Sequence, residues 1–366
     1  MNTAARPFRL DDLRRALADL EPAPNPALKL PLNASLNAPD CLNKLITAGL
    51  DRLPLPGSGA TLLRWQALAA VAATDLSLAK LYEGHTDALA VFAELGVSPS
   101  SAEALASWGM WAAEAPQGRT LIESGADTRA GERDGMVRLN GAKCWCSGAA
   151  SASDALLTAW HADGRGPQLV SVSLRQRGVR VSSGEWQAVG MAGSASLDVA
   201  FDRAHARLVG EPGAYLERPG FWQGGAGIAA CWYGGTLGIA AALRMAVMQG
   251  AASARSPFRL AALGRVDVAL QTTAALLRQS AAWIDANPAA DASAVTLRAR
   301  LRAEDCATAV LSDVGRALGA TPFCRDAKFA RAAADLPVFI RQSHAERDLA
   351  ALGERMLEPG TSPWTL

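Results

Sequence analysis

The chain has 366 residues, of which 50% are hydrophobic and 19% are charged, so it can bury a core larger than one compact domain usually forms. Lysine and arginine (36) nearly balance aspartate and glutamate (35), which excludes the basic surface typical of nucleic-acid binding. The six cysteines are scattered without zinc-site spacing, and no signal peptide precedes them. We therefore expect free thiols, no metal site and a cytoplasmic protein.

Residues 1–108 have helical periodicity and are predicted to form an N-terminal helical domain. An amphipathic run begins at Asp11, a proline-rich loop follows, and a long helical pattern from Thr61 ends near Gly96. His85 lies within this apolar helix without a second ligand nearby. It is expected to be a hydrogen-bonded core histidine rather than a metal ligand or a base.

Residues 109–213 have the texture of strands and are predicted to form a small antiparallel β domain. The alternating runs are Met136–Leu139, Ala155–Trp160, Gln168–Leu174, Val179–Ser182 and Ser196–Phe201. Glycine, aspartate and serine separate them, and a turn is expected at Asn140-Gly141.

Residues 214–366 return to helical periodicity. Four helices, at about 219–250, 257–286, 293–318 and 326–356, predict a C-terminal four-helix bundle. The uncharged stretch Pro219–Leu243 is long enough to span a bilayer. Its many glycines and alanines favour a helix buried inside the bundle instead, so no membrane segment is expected.

The stretch Gly141–Gly148 combines side chains that suit a flat ligand. Trp145 offers a broad apolar face, Ser147 an adjustable hydroxyl, and Gly148 a backbone that a ligand can approach closely. A strand with a single tryptophan is also ordinary β-sheet core. The neighbouring segments therefore decide between the two interpretations.

Two segments resemble motifs of the acyl-CoA dehydrogenases. The run Asn140-Gly-Ala-Lys-Cys-Trp-Cys-Ser-Gly148 resembles their N-G-x-K-x-W-I-[TS]-N/G strand, and Gly190-Met-Ala-Gly-Ser-Ala-Ser-Leu-Asp-Val-Ala-Phe201 is similar to G-M-x-G-[ST]-x-T-x-x-V-x-F. The resemblance covers about residues 60–355. It implies an α+β fold with an N-terminal helical domain, a central antiparallel β domain and a C-terminal four-helix bundle.

The resemblance also implies FAD as the cofactor and places residues around it. Trp145 would pack against the flavin, and Ser147 would form a hydrogen bond near flavin N5. The loop Trp111–Pro116 resembles T-E-P-x-A-G-S-D, which assigns Ala113 and Glu114 to the cofactor although the usual threonine and G-S-D are missing. Two further segments correspond to loops that reach FAD across subunits, so a homodimer or homotetramer with FAD near the subunit interface is implied. Their residues are Arg255, Phe258, Leu318 and Gly319.

The usual catalytic acid of that family is missing. Its glutamate, within Y-E-G-T, falls on Arg341 or Ser343, and the alternative position falls near Ile228. Glu346 or His344 could serve as the base if the loop shifts. The other interpretation is structural, with Ser343 and Glu346 forming a capping box at the start of the last helix.

Three functions remain open. The first is an FAD-dependent oxidoreductase acting on the CH–CH group of an acyl thioester or a similar small acyl substrate, in which a carboxylate takes the α-proton. The second is a flavin-dependent monooxygenase on the same fold, which needs no glutamate. The third is a degenerate, non-catalytic homologue. None of them involves nucleic acid or a membrane.

Overall fold

The computed structural model describes residues 7–20, 36–99, 106–115, 118–123, 135–182, 186–249, 256–358 and 364. Helices come first, then strands, then helices. The first helices are α1 (Leu10–Leu20), α2 (Ala38–Thr47), α3 (Thr61–Thr74) and α4 (Leu76–Glu94). The strands are β1 (Trp108–Trp111), β2 (Thr120–Glu123), β3 (Met136–Cys146), β4 (Asp154–His161), β5 (Pro167–Ser173), β6 (Val179–Val181) and β7 (Leu197–Val209). The later helices are α5 (Ala214–Glu217), α6 (Gly220–Gly225), α7 (Gly227–Gln249), α8 (Pro257–Ala286), α9 (Ser293–Leu318), α10 (Thr321–Arg325), α11 (Ala327–Phe339) and α12 (Glu346–Arg355).

The fourth predicted helix of the bundle, 326–356, is wrong as a single element. It is divided into α11, a 3₁₀ turn at Ile340–Gln342, and α12. Pro337 lies inside α11, where it removes a backbone donor and weakens the helix two residues before its end. Ala345, with φ 46°, then turns the chain before α12 begins. The first predicted bundle helix is also interrupted, at Ala226.

The helices that precede the strands in sequence and those that follow them share one hydrophobic core. Leu68 and Val71 of α3 belong to the same buried cluster as Ile239 and Leu243 of α7. The two helices approach closely because α7 has glycine at the contact, where a Cβ on Gly234 would overlap the backbone of α3. The N-terminal helices are therefore packed into the C-terminal bundle, while the boundaries 1–108, 109–213 and 214–366 stay a prediction.

The strands form one seven-stranded sheet in the order β1-β4-β2-β3-β7-β5, with β6 on β7. Because β5 also pairs with β4, the strands β4, β2, β3, β7 and β5 close into a ring, which we call the barrel. The expectation of a purely antiparallel sheet is wrong, since β4 runs parallel to both β1 and β2. These pairs are not hairpins, so no short turn constrains their direction.

The turn predicted at Asn140-Gly141 is a bulge within β3 rather than the end of a strand. The pairing of β3 with β7 shifts register between Leu139 and Asn140 and again between Lys143 and Cys146. Gly141 has φ 107°, and a side chain there would overlap the carbonyl of Arg119. The strand therefore continues beyond the bulge to Cys146 and brings Trp145 to the barrel's edge.

Two segments of the described chain are long and apolar enough to cross a bilayer by length and composition, Gly220–Gln249 and Pro257–Ala286. In the first, 72% of the most apolar window is buried, which fits the predicted helix inside the bundle. In α8 only 28% of that window is buried, and Phe258, Leu260 and Val268 are exposed. This helix therefore carries an apolar face that no described part of the chain covers.

Candidate functional site

Trp145 lies at the second bulge of β3 and points out of the barrel. Its backbone is left-handed (φ 62°), and its N–H donates to Asp198 Oδ1 at 3.3 Å. The side chain is 60% exposed, so the interpretation of Trp145 as ordinary sheet core does not hold. The ring of Trp186 meets it edge-on, with centroids 6.3 Å apart and an interplanar angle of 88°. We call these two rings the indole platform.

A turn at residues 190–195, the Met191 turn, holds the indole platform in place. Met191 is left-handed (φ 60°), and its N–H donates to the carboxylate of Asp335 in α11. Its carbonyl accepts Trp186 Nε1 at 3.3 Å and Ser194 Oγ at 2.9 Å. A Cβ on Gly190 would overlap the carbonyl of Ala334. The bundle therefore fixes the loop that orients Trp186.

Asp335 makes this contact sensitive to pH. Burial raises the pKa of Asp335 to about 6, the Met191 N–H opposes the rise, and Asp75 adds to it. Since this folded value lies above the unfolded value of about 3.9, the titration of Asp335 makes the fold roughly 2–3 kcal/mol more stable below pH 4 than well above pH 6. That contribution is lost as the pH rises from about 4 to about 6.

Asp335→Asn keeps an acceptor for the Met191 N–H and removes the titration. Relative to the wild type, we expect the melting temperature of the variant to rise as the pH goes from 4 to 7, because only the wild type has to bury a charge. Thermal denaturation of both proteins across that range measures the difference. If the difference in melting temperature between the two proteins stays constant across this pH range, the assignment of the titration to Asp335 is contradicted.

Ser147 follows Trp145 and connects to a second segment through its hydroxyl. Ser147 Oγ lies 2.8 Å from Ser196 Oγ, and Ser196 Oγ lies 3.1 Å from Ser194 Oγ. The Ser147 carbonyl accepts Trp111 Nε1 at 3.0 Å. Gly148 (φ 75°) comes next and leaves no room for a side chain beside Leu81 of α4. Both motifs found in the sequence thus meet at these hydroxyls.

Glu114, in the loop after β1, forms an ion pair with Lys143 of β3. Lys143 Nζ lies 2.7 Å from Glu114 Oε1, and it also donates to the carbonyl and hydroxyl of Thr158. Trp160 Nε1 donates to the other oxygen of Glu114 at 3.1 Å. Glu114 therefore anchors the loop that carries Ala113, whose side chain is exposed.

The two charges are buried to different extents. Lys143 is 2% exposed, whereas Glu114 is 37% exposed. Burial lowers the pKa of Lys143 and outweighs the opposing effect of Glu114. For Glu114, burial opposes ionisation, but hydrogen bonds from Lys143, Thr158 and Trp160 together lower its pKa. The buried ammonium group of Lys143 therefore depends on its counter-charge more than the partly exposed carboxylate of Glu114 does.

A small pocket lies between α2, α4, β1 and the segment after β3. It encloses about 20 Å³ of free space, which is room for about one water molecule. Its lining includes Lys80, Leu81, Gly84, Met110, Ser147 and Gly148. A substrate cannot occupy it in this conformation.

Sequence reasoning missed a group of charges on α4. Lys80 Nζ pairs with Glu83 Oε2 at 2.9 Å, and both side chains are largely buried (15% and 13% exposed). Burial also raises the pKa of Asp87, with Glu83 adding to the rise. A pair three residues apart is typical of a solvated helix face. The otherwise apolar surroundings of α4 were the signal that these charges face inward. Lys80 also lines the small pocket.

Glu346 and His344, the two candidate bases, lie at the start of α12. His344 Nδ1 is 3.3 Å from Asp348 Oδ1, and the His344 N–H donates to the same carboxylate. Glu346 is exposed. The predicted capping box is wrong, because Ser343 Oγ accepts the N–H of Ala345, two residues further on. The described contacts join neither candidate to the indole platform.

The remaining predicted cofactor residues lie near the start of α8 and at the end of α9. Arg255 falls outside the described residues. Phe258, at the start of α8, is 86% exposed. Arg259 Nε donates to the carbonyl of Ala317 at 3.2 Å, which brings the start of α8 beside Leu318 and Gly319. The structure therefore places the two segments together, away from the contacts of the indole platform.

Two other predictions concern single side chains. His85 is buried, with Nε2 at 3.1 Å from Asp51 and Nδ1 accepting the N–H of Trp108, so it is a structural core histidine as expected. The cysteines of the described chain are free thiols. Within the described ranges, no group of three or more histidine, cysteine, aspartate or glutamate side chains is arranged to hold a metal.

Comparison with known proteins gives structural matches alone. No protein-family model matches the sequence, and no curated protein matches it significantly. The chain is similar to dibenzothiophene monooxygenase (TdsC) from Paenibacillus sp. A11-2, with TM-score 0.75 and 17% identity over 97% of this chain and 99% of that one. It is also similar to methanesulfinate monooxygenase MsuC from Pseudomonas fluorescens, with TM-score 0.76 and 17% identity over 98% and 99%. The chain has the acyl-CoA dehydrogenase-like fold.

Two solved structures to which the chain is similar contain FMN. TdsC has been seen with FMN and indole, at 18% identity over 95% of this chain and 97% of that one, with TM-score 0.75. KijD3 has been seen with FMN and a dTDP-linked amino sugar, at 18% identity over 96% and 94%, with TM-score 0.74. At such identities the comparison establishes the fold and leaves the reaction to be argued from the residues.

Proposed function

We propose that the protein is a flavin-dependent monooxygenase that uses reduced FMN. The observation that carries this proposal is the exposed indole platform beside the Ser147 hydroxyl, on a strand that Asp198 and the Met191 turn hold in place. A large ring left uncovered suits a flat ligand, because stacking on it buries apolar area that the fold leaves in water. Gly148 lets that ligand come close to the backbone.

The residues around this position fit a flavin. The indole platform offers its apolar face, Ser147 offers a hydroxyl, and the adjacent Glu114–Lys143 pair holds the loop with Ala113 in place. When bound, reduced flavin supplies two electrons to dioxygen, so that one oxygen atom reaches the substrate and the other leaves as water. The chain's own part is to bind and orient the ring and to keep water from it.

The lack of an acid at the positions where acyl-CoA dehydrogenases carry one argues against acyl-thioester dehydrogenation, the first function considered. That reaction needs a carboxylate at the substrate's α-carbon. The positions expected for it carry Arg341, Ser343 and Ile228, and Arg341 pairs with Glu304 of α9. His344 is in contact with Asp348, and Glu346 is exposed at the start of α12. Dehydrogenation of a small acyl substrate with FAD stays the alternative.

One set of measurements separates the three functions. Purified protein is titrated with FMN and FAD, then supplied with enzymatically reduced flavin while oxygen consumption and oxygenation of indole, dibenzothiophene and small sulfinates are followed. Substrate-dependent oxygenation supports the proposal. Anaerobic bleaching of bound FAD by acyl-CoAs supports dehydrogenation instead. Failure to bind either flavin would leave the non-catalytic homologue.

We also propose that a second copy of the chain covers the exposed face of α8, as a homodimer or homotetramer. The exposed apolar residues Leu260, Val268 and Phe258 are spread over about half of the helix circumference, and uncovered apolar area of this kind marks an interface. Phe258 lies beside the loop of Leu318 and Gly319, so flavin bound near the interface would depend on both copies.

Phe258→Asp is expected to shift the protein toward the monomer in light scattering at micromolar concentration, because a charge on this face must be desolvated on assembly. Flavin retention should fall in parallel. Arg255→Ala leaves the apolar face intact and is expected to keep the oligomer while retaining less flavin. A stable monomer that holds flavin as well as the wild type would rule out the contribution of the second copy.

A further inference from the structure

Three serine hydroxyls form a chain that ends on a backbone carbonyl. Ser147 Oγ is 2.8 Å from Ser196 Oγ, Ser196 Oγ is 3.1 Å from Ser194 Oγ, and Ser194 Oγ is 2.9 Å from the Met191 carbonyl. Ser194 is 1% exposed, whereas Ser147 and Ser196 are partly buried. We call this arrangement the hydroxyl chain.

The protons of the hydroxyl chain can be placed by counting. Two oxygen atoms less than about 3.2 Å apart need a proton between them, because their lone pairs otherwise repel. Three contacts therefore require three protons, and three hydroxyls supply one each. The Met191 carbonyl has none to give, so Ser194 donates to it. Ser196 must then donate to Ser194, and Ser147 must donate to Ser196.

This direction leaves Ser147 with lone pairs alone for any further partner. Its single proton points at Ser196, and the described residues offer its hydroxyl no second contact. A ligand atom that meets Ser147 Oγ must therefore be a hydrogen-bond donor. An acceptor placed there would face lone pairs, or would have to break the contact with Ser196 and leave the chain one proton short.

We propose that Ser194 and Ser196 are positioning residues which make the site select reduced over oxidised flavin. This inference rests on the proposed function and on the resemblance to acyl-CoA dehydrogenases, which implies that flavin N5 would lie beside Ser147. N5 carries a hydrogen in reduced flavin and is an acceptor in oxidised flavin, so the hydroxyl chain matches the reduced state alone. A monooxygenase that takes up free reduced flavin gains a preference for its substrate over the oxidised product.

The test compares the dissociation constants of oxidised FMN and of dithionite-reduced FMN, measured without oxygen on the full chain. The wild type is expected to bind the reduced form more tightly. Ser196→Ala frees the Ser147 proton for an oxidised N5, so the preference should fall about five- to tenfold. A tenfold change corresponds to about 30 mV in the two-electron potential of the bound flavin.

Two further variants separate orientation from folding. Ser196→Thr keeps the hydroxyl and is expected to keep the preference. Ser173→Ala, which removes an exposed hydroxyl of the same sheet, should leave both constants unchanged. If neither flavin form binds the wild type, the proposed function itself fails. If both forms bind and Ser196→Ala leaves their ratio unchanged, the hydroxyl chain has no part in selecting the redox state, and this inference is overturned while the function stands.

Discussion

Trp145→Ala is expected to weaken flavin binding roughly ten- to one-hundredfold while the protein stays folded. Stacking of a flat heterocycle on one aromatic side chain contributes about 1–3 kcal/mol, and every 1.4 kcal/mol is a tenfold change in affinity. The indole is 60% exposed, so its loss removes little of the core. Fluorescence titration with FMN gives the dissociation constant.

Trp145→Phe is the matched control, because it keeps a flat apolar ring at the same backbone position. It should recover most of the affinity. The melting temperatures of both variants should stay close to that of the wild type. Unchanged flavin binding by the alanine variant, with the protein intact, would show that the flavin does not rest on the indole platform.

Glu114→Ala is expected to have the largest effect on stability, a loss of about 2–4 kcal/mol. The reason is that Lys143 remains buried after its partner is removed. Lys143 is 2% exposed, and without Glu114 its ammonium group keeps the carbonyl and hydroxyl of Thr158 but no counter-charge. A buried unpaired charge is costlier than either a complete pair or an apolar side chain. Chemical denaturation measures the loss.

The double variant Glu114→Ala with Lys143→Met tests that reason. Methionine fills the space of the lysine stem without a charge, so much of the lost stability should return. Acid should imitate the single variant: since the pKa of Glu114 is lowered in the folded state, the pair stabilises the protein above about pH 4, and this contribution is lost as the pH falls through the folded pKa. Equal stability of the single and double variants would contradict the assignment.

Local periodicity was sufficient for the long helices. The predicted 257–286 and 293–318 coincide with α8 and α9, because their patterns are regular and their ends are marked by Pro257, Asn287 and Gly319. It failed where distant segments decide the structure. The parallel pairing of β4 and the bulge at Gly141 depend on strands far apart in sequence. The interruption after α11, by contrast, follows Pro337, a local signal that the prediction of one helix over 326–356 did not use.

At the candidate site, too, the local sequence predicted some residues and missed others. Motif resemblance singled out Trp145 and Ser147, since both lie in one continuous stretch of sequence, at the end of β3 and just after it. Their partners were missed because they come from elsewhere in the chain: Trp186 precedes the Met191 turn, and Asp335 lies in the last predicted bundle helix. Nothing in the local sequence around Asp335 distinguishes a carboxylate that accepts one backbone N–H from one that faces water.

The contact between Asp335 and Met191 has a consequence for the order in which the protein is made. Strand β3 is synthesised well before α11, and a growing chain that ends short of residue 335 contains Trp145 without the group that anchors the neighbouring turn. Chains fold from the N-terminus as they emerge from the ribosome. The surface proposed to receive the flavin is therefore completed only after residue 335 has been synthesised, so a flavin that binds there would be taken up after α11 is made.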